Sequence, residues 1–178
     1  MLKILIVEDE PLLAGTLKSL IELNPRYRVT AIAEDAAAAL AAAQAERPDL
    51  AIVDLQLANG TTGFAAAAKL RDMDVLCLFT TGGGLAMPVP DLAIGCLAKP
   101  YDEAALVQAL REAEDALCGR SRLVRVRRLP EQLQLYAGRA DAPSMPPPVG
   151  GWLRARTGIW ARLWRRLRSP RAYRSAAG

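Results

Sequence analysis

The chain has 178 residues, enough for one ordinary domain and an appendage. It contains no histidine, which excludes Ser-His-Asp and Cys-His nucleophiles and histidine-bound metals. Its net charge of +4 hides a division: residues 1–118 carry 9 Lys/Arg against 17 Asp/Glu, whereas residues 119–178 carry 14 Arg against 2 acids. That asymmetry predicts two functional parts, the second with an anionic partner. The opening MLKILIVEDE has an apolar stretch of about six residues, too short for a signal peptide or a membrane span. The three cysteines, Cys77, Cys96 and Cys118, have no metal-ligand spacing and are expected to be reduced, buried thiols of a cytosolic protein.

Strand and helix patterns alternate along the first part. Leu2–Val7 is an apolar run that reads as a buried strand. Pro11–Leu23 follows, with Leu12, Leu13, Leu17, Leu20 and Ile21 at helical spacing and Pro11 in the first turn, where its missing N–H costs little. Val29–Ala33 is the second strand. Asp35 caps an alanine-rich helix that runs to Glu46 and stops at Pro48. The third strand, Leu50–Val53, ends at Asp54. Asn59-Gly60 and Gly63 turn the chain into a helix over Phe64–Arg71. Val75–Phe79 is strand four and Ala93–Leu97 strand five, and a last helix spans Asp102–Cys118 with Gly119 as its stop. Between Thr81 and Lys99, Gly82-Gly83-Gly84, Pro88 and Pro90 oppose a helix interior, so at most one short turn is expected there. Five such units predict an α/β fold: a doubly wound, five-stranded parallel sheet with flanking helices, a short or degenerate fourth helix, and a C-terminal extension.

Parallel strands of such a sheet share one carboxyl-end rim, where ligands bind. Glu8 and Asp9, Asp54, and Lys99 all stand at strand ends on that rim. A lone strand-end Asp is an ordinary turn cap. Three carboxylates crowded together repel unless a cation sits among them, and oxygen-only ligands suit Mg²⁺. The set reads as a metal-assisted phosphoryl site with one Asp as acceptor and Lys99 as counter-charge. Gly82–Gly84 is not followed by GK[ST], so a tight turn is the better reading than a phosphate cradle.

These residues resemble the receiver domain of two-component response regulators, a flavodoxin-like fold. The resemblance rests on Glu8-Asp9, Asp54, Thr81 and Lys99-Pro100 in register, with 45 residues from Asp9 to Asp54, 27 from Asp54 to Thr81 and 18 from Thr81 to Lys99. It implies that Asp54 accepts a phosphoryl group from the phosphohistidine of a sensor histidine kinase or phosphotransfer protein. It implies that Glu8, Asp9, Asp54 and the backbone carbonyl of Gln56 hold Mg²⁺. Thr81 would donate its hydroxyl to a phosphoryl oxygen and Lys99 would pair with another. Thr80 is the alternative to Thr81; strand alternation and the following Gly82 favour Thr81. The sequence departs from the family in having Cys96 where an aromatic usually stands three residues before the Lys, and Ala58 where a proline often follows the acceptor.

The expected organisation is a receiver over 1–119, a basic, Pro-rich linker over 120–151, a basic amphipathic helix over 152–168 and a disordered tail over 169–178. Within 120–151, Arg120–Arg128 has alternating Leu/Val and reads as a strand or an extended arm. On a helical wheel Trp152, Leu153, Ile159, Trp160, Leu163, Trp164 and Leu167 fall within one arc of about 140°, with Arg156 intruding. That helix suits an anionic membrane surface or another acidic partner; packing on the receiver is the competing reading. No second helix at helix-turn-helix spacing follows, so no dedicated DNA-binding domain is recognised. The expected protein is a cytoplasmic phosphoacceptor that signals through protein contacts, with the tail peripheral at the inner membrane face, and is not an enzyme. The rivals are a receiver-like adaptor whose tail binds membrane or nucleic acid, and an aspartyl-phosphate phosphatase. The second is disfavoured because Gln56 stands where such enzymes place a second acid.

Overall fold

The computed structural model describes residues 1–57, 62–83, 87–118 and 129–136. Six strands form one sheet in the order β2-β1-β3-β4-β5-β6. They are β1 (Leu2–Val7), β2 (Tyr27–Ala33), β3 (Leu50–Asp54), β4 (Leu76–Thr81), β5 (Gly95–Ala98) and β6 (Leu133–Leu135). The first five pair in parallel, as expected; β6 adds an antiparallel edge to β5 that the expectation lacked. The helices are α1 (Pro11–Glu22), α2 (Ala36–Glu46), α3 (Gly63–Asp72) and α4 (Glu103–Leu117), the last being the expected C-terminal helix.

The inner strands are apolar without alternation because both faces of the sheet are covered. Ile4 and Ile6, Leu50 and Ile52, and Leu76 and Leu78 join Leu17 and Ile21 of α1 and Leu106 and Leu110 of α4 in one core. Their neighbours Leu5 and Val7, Ala51 and Val53, and Cys77 and Phe79 point the other way, into a core with α2 and α3. The second core is built with small residues. Ala39, Ala43, Ala66 and Ala67 are fully buried, so α2 and α3 lie close to the strands. Asp35 caps α2 by accepting from Ala38 N–H, and Asp102 caps α4 by accepting from Ala105 N–H. Arg47, the residue before Pro48, ends α2 in a left-handed conformation with φ of 48°.

Between β4 and β5 the described residues contain no helix, only a turn in which Leu92 and Ala93 donate to Val89 O. Strand five begins two residues later than Ala93, at Gly95. Of the expected 120–151 linker, the described part, residues 129–136, lies along the sheet edge rather than free of it. The Asn59-Gly60 turn, the Arg120–Arg128 arm, the Pro-rich stretch, the 152–168 helix and the 169–178 tail lie outside the described residues. Cys77 and Cys96 are buried thiols, but Cys118 is exposed, contrary to expectation. No described helix is long and apolar enough to cross a membrane.

Two glycines on helices offer a contrasting test. A Cβ on Gly63 would stand 2.1 Å from the carbonyl oxygen of Asp54, whereas one on Gly15 would meet nothing within 4 Å. Gly63→Ala must push α3 off the end of β3 and is expected to destabilise by about 1–3 kcal/mol. Gly15→Ala, on a free surface of α1, is expected to stabilise by up to about 1 kcal/mol. Urea unfolding of the two variants checks both signs.

Candidate functional site

The carboxyl ends of β1, β3, β4 and β5 meet on one rim. Glu8 extends β1 by one residue, its N–H donating to Ala33 O at 2.9 Å. Its side chain is therefore drawn into the sheet edge and is buried, 6% exposed. Asp54 is the last residue of β3 and is 5% exposed. Its backbone is held on two sides. Thr80 lies opposite it in β4, and α3 presses against its carbonyl at Gly63. Lys99 directly follows β5, and its N–H donates to Thr81 O at 2.7 Å.

Lys99 joins the two buried acids. Its Nζ lies 2.7 Å from Glu8 Oε2 and 2.6 Å from Asp54 Oδ2. Asp54 Oδ1 accepts from Gln56 N–H at 3.0 Å, so both of its oxygens are engaged. One carboxylate oxygen from each of Glu8, Asp9 and Asp54 lies within 4.8 Å of the others. Asp9 sits at the more open side of this cluster.

Burial pushes the Glu8 carboxyl above its ordinary value, against the opposing pull of Lys99. For Lys99, burial acts to lower the value, but the hydrogen bonds and charges of Asp54 and Glu8 outweigh it and raise it above 10.5. Lys99 is thus an ammonium at neutral pH. Because its folded value exceeds its unfolded one, its stabilising contribution is present at neutral pH and is lost only as pH rises past 10.5 through the raised value.

Thr81 ends β4 and is 3% exposed. Its Oγ1 accepts from Gly83 N–H at 3.2 Å, which orients the oxygen and leaves the hydroxyl proton to donate elsewhere. Thr80 is equally buried, and its carbonyl accepts from Leu55 N–H at 2.9 Å. The Gln56 side chain lies over the Gly82-Gly83 turn: a Cβ on Gly83 would be 3.2 Å from Gln56 Nε2. These small residues let the amide approach the rim. Gln56 also pairs with Thr62 in an isolated antiparallel bridge, which closes the loop after Asp54.

Two neighbours of the site carry signals that were overlooked. Gly63 is a glycine in the first turn of a helix, an unfavourable place that calls for a packing reason, and the reason is Asp54 O. Tyr101 follows Lys99-Pro100 directly; burial pushes its phenol above the ordinary value, and its charge environment includes Lys99, Glu8 and Asp54. Its place immediately after the Lys-Pro pair was the available hint.

Residues 4–111 match the response regulator receiver domain family. Among curated proteins, the chain is similar to the sensory transduction protein LytT of Bacillus cereus, 30% identical over 116 residues, covering 63% of this chain and 47% of LytT. It is also similar to the phyllosphere-induced regulator PhyR of Methylorubrum extorquens, 37% identical over 81 residues, covering 44% of this chain and 30% of PhyR. The chain thus spans about half or less of the curated relatives it matches. Among solved structures, it resembles the receiver domain of Erythrobacter litoralis PhyR with a TM-score of 0.54 at 28% identity, covering 64% of this chain and 89% of that one. A LuxR-family two-component response regulator from Aurantimonas gives a TM-score of 0.56 at 31% identity, covering 61% and 81%. The chain belongs to the response regulator receiver domain family.

Proposed function

We propose that this receiver accepts a phosphoryl group on Asp54 from the phosphohistidine of a sensor histidine kinase or phosphotransfer protein, with Mg²⁺ in the acidic cluster. The observation that carries this reading is the single ammonium of Lys99 bridging Glu8 and Asp54, at 2.7 and 2.6 Å, beside a third carboxylate. A cluster of three carboxylates offering only oxygen is the donor set that a hard divalent cation takes. Glu8, Asp9 and Asp54, with the Gln56 carbonyl, would hold the ion, whose charge offsets that of the acceptor and of the arriving phosphoryl group.

The chain's own part is positioning and charge balance. An Asp54 carboxylate oxygen forms the bond to phosphorus as the phosphorus–nitrogen bond of the donor breaks, and the departing imidazole takes a proton. Lys99 then shifts its hydrogen bond from Asp54 to a phosphoryl oxygen while keeping Glu8. Thr81 donates its hydroxyl to a second phosphoryl oxygen, its Oγ1 held meanwhile by Gly83 N–H. Gln56, two residues after the acceptor, is an amide and supplies no general acid. The protein therefore acts as a phosphoacceptor of a phosphorelay rather than as a turnover phosphatase.

Mg²⁺ and acetyl phosphate are expected to add one phosphoryl group that hydroxylamine removes, and Asp54→Asn to abolish the addition. Intact mass spectrometry reads both, and undiminished labelling of the variant would sink the assignment of the acceptor.

Removing Asp9 takes one oxygen ligand from a weak, water-rich site, so Asp9→Ala is expected to weaken Mg²⁺ binding at least tenfold. The same change relieves like-charge repulsion, so the metal-free variant is expected to melt no lower than the parent protein. Titration with Mg²⁺ followed by a thermal melt, each with and without the substitution, measures the two effects. Equal affinity would place the ion elsewhere.

For the whole chain, we propose a receiver over 1–119 to which residues 129–136 add an edge strand, followed by a Pro-rich linker, an Arg- and Trp-bearing segment over 152–168 and a tail. The segment's apolar arc and Arg excess suit an anionic surface, which would place a cytoplasmic protein at the inner membrane face. Deletion of 150–178 is then expected to abolish co-sedimentation with anionic vesicles at low salt and to leave Asp54 labelling unchanged. Full-length protein that stays in the supernatant would end the membrane reading.

A further inference from the structure

β6 is bound to the sheet by unusual means for so short a strand. It contributes three residues, and its flanking bonds run from Ala98 N–H to Gln132 O and from Tyr136 N–H to Ile94 O, each 2.8 Å. The approach is close because residue 95 is glycine. A Cβ there would lie 2.4 Å from Gln134 O and 3.1 Å from Leu135 Cα. Tyr136, just past the strand, is 7% exposed and belongs to the core that contains Phe79, Ala93 and Cys96. The described chain between β4 and β5 lays no helix over this part of the face; Phe79 meets the ring of Phe64 in α3, with centroids 5.3 Å apart, and the Tyr136 ring is buried beside Cys96, with Val89 and Leu92 packed against the same core.

The fit is also incomplete in its polar groups. Among the described residues, the buried side-chain oxygens and nitrogens without a hydrogen-bond partner are Gln134 Oε1 and Tyr136 Oη, and both belong to this segment. The Tyr136 hydroxyl lies beside the Cys96 thiol, a poor partner, and burial with that neighbour pushes the phenol up to about 12. Burial likewise pushes the Cys96 thiol up to about 11, so both groups stay neutral. An orphaned buried polar group favours the open state, in which water satisfies it. A short edge strand with two such groups belongs to the low-stability end of a fold.

This strand is also wired to the acid rim. Ala98 N–H donates to Gln132 O just before β6, and the next residue, Lys99, donates through its N–H to Thr81 O and through its Nζ to Glu8 and Asp54. Successive peptides, the last of β5 and the one after it, therefore bond to residues 129–136 on one side and to β4 at the charged site on the other. We propose that residues 129–136 form a detachable strap over the β5 edge, latched by the Tyr136 ring in the space beside Cys96, and that its hold is set by the state of the rim through Ala98-Lys99. The second half rests on the phosphoacceptor reading of Asp54; the first does not. Release would uncover the β5 edge and the surface beside Cys96.

Amide hydrogen exchange on the full chain tests the strap. In the unphosphorylated protein, Ala98 and Tyr136 amides are expected to exchange at least 100-fold faster than those of Ile52 and Leu78, which lie in inner strands. Tyr136→Ala should speed Ala98 exchange at least tenfold again and leave Ile52 and Leu78 unmoved. Tyr136→Phe keeps the ring and removes the orphaned hydroxyl, so it should slow Ala98 exchange severalfold. Ala98 exchanging at the rate of Ile52, or Tyr136→Phe acting like Tyr136→Ala, would overturn the strap. Acetyl phosphate with Mg²⁺ should then change Ala98 exchange at least threefold in wild type and not in Asp54→Asn, with intact mass measured on the same samples. Phosphate added without a change at Ala98 would overturn the coupling alone. No phosphate added would overturn the acceptor reading and the coupling with it, while the strap stands or falls on the unphosphorylated rates.

Discussion

Three carboxylates held at one rim of a parallel sheet repel each other, and most of the molecule's local features follow from how that repulsion is managed. Glu8 and Asp54 are almost wholly buried, where water screens little and an uncompensated charge is costly. Lys99 offsets both, and it can do so because β5 ends one residue before it while its backbone stays tied to Thr81. Removing the lysine would leave two buried acids unpaired, a change that in comparable sites costs about 3–5 kcal/mol. The third acid lies further out, in contact with solvent. Two of the acids thus share one ammonium on the inner side of the cluster, and Asp9 stands on its more open side.

Close approach is the second constraint, and it is met with small residues. α3 reaches the end of β3 only because residue 63 has no side chain, so the helix fixes the Asp54 carbonyl. α2 and α3 pack through fully buried alanines, which keeps the helices near the strands whose ends carry the acids. The Gly82-Gly83 turn admits the Gln56 amide and provides the N–H that orients Thr81. Gly95 does the same on the far side, where β6 comes against β5. Each of these glycines works by absence of a Cβ rather than by an unusual backbone angle.

Much of this was legible in the chain because buried parallel strands write themselves as unbroken apolar runs and helices are punctuated by Pro11, Asp35, Pro48 and Asp102. The charged residues that the runs end on are the ones the fold gathers: Glu8, Asp9, Asp54 and Lys99. β6 was not legible. LQL is three residues long, follows a basic stretch, and its pairing depends on Gly95 some forty positions earlier, which no local pattern reports. The start of β5 was misplaced for a related reason. Ala93 and Ile94 are apolar like the strand, but they belong to the turn that replaces a helix, and the ladder starts only at Gly95. Cys118 was misjudged because a helix-end thiol has the composition of a core residue without its position.

The missing helix, the cysteine at position 96 and the added strand form one arrangement. Gly82–Gly84, Pro88 and Pro90 oppose a helix in the connection, and its described residues lay none beside Cys96. A large side chain at position 96 would have to share that space with whatever covers it. A small thiol leaves room for a ring from elsewhere, and Tyr136 is buried there with only the sulfur as polar company. The cover is therefore supplied by the segment that leads into the Arg-rich end of the chain rather than by a helix within the sheet's own β-α repeat. A cover of that kind ties the packing beside Cys96 to residues 129–136, whose close seat on β5 depends in turn on the missing side chain at Gly95.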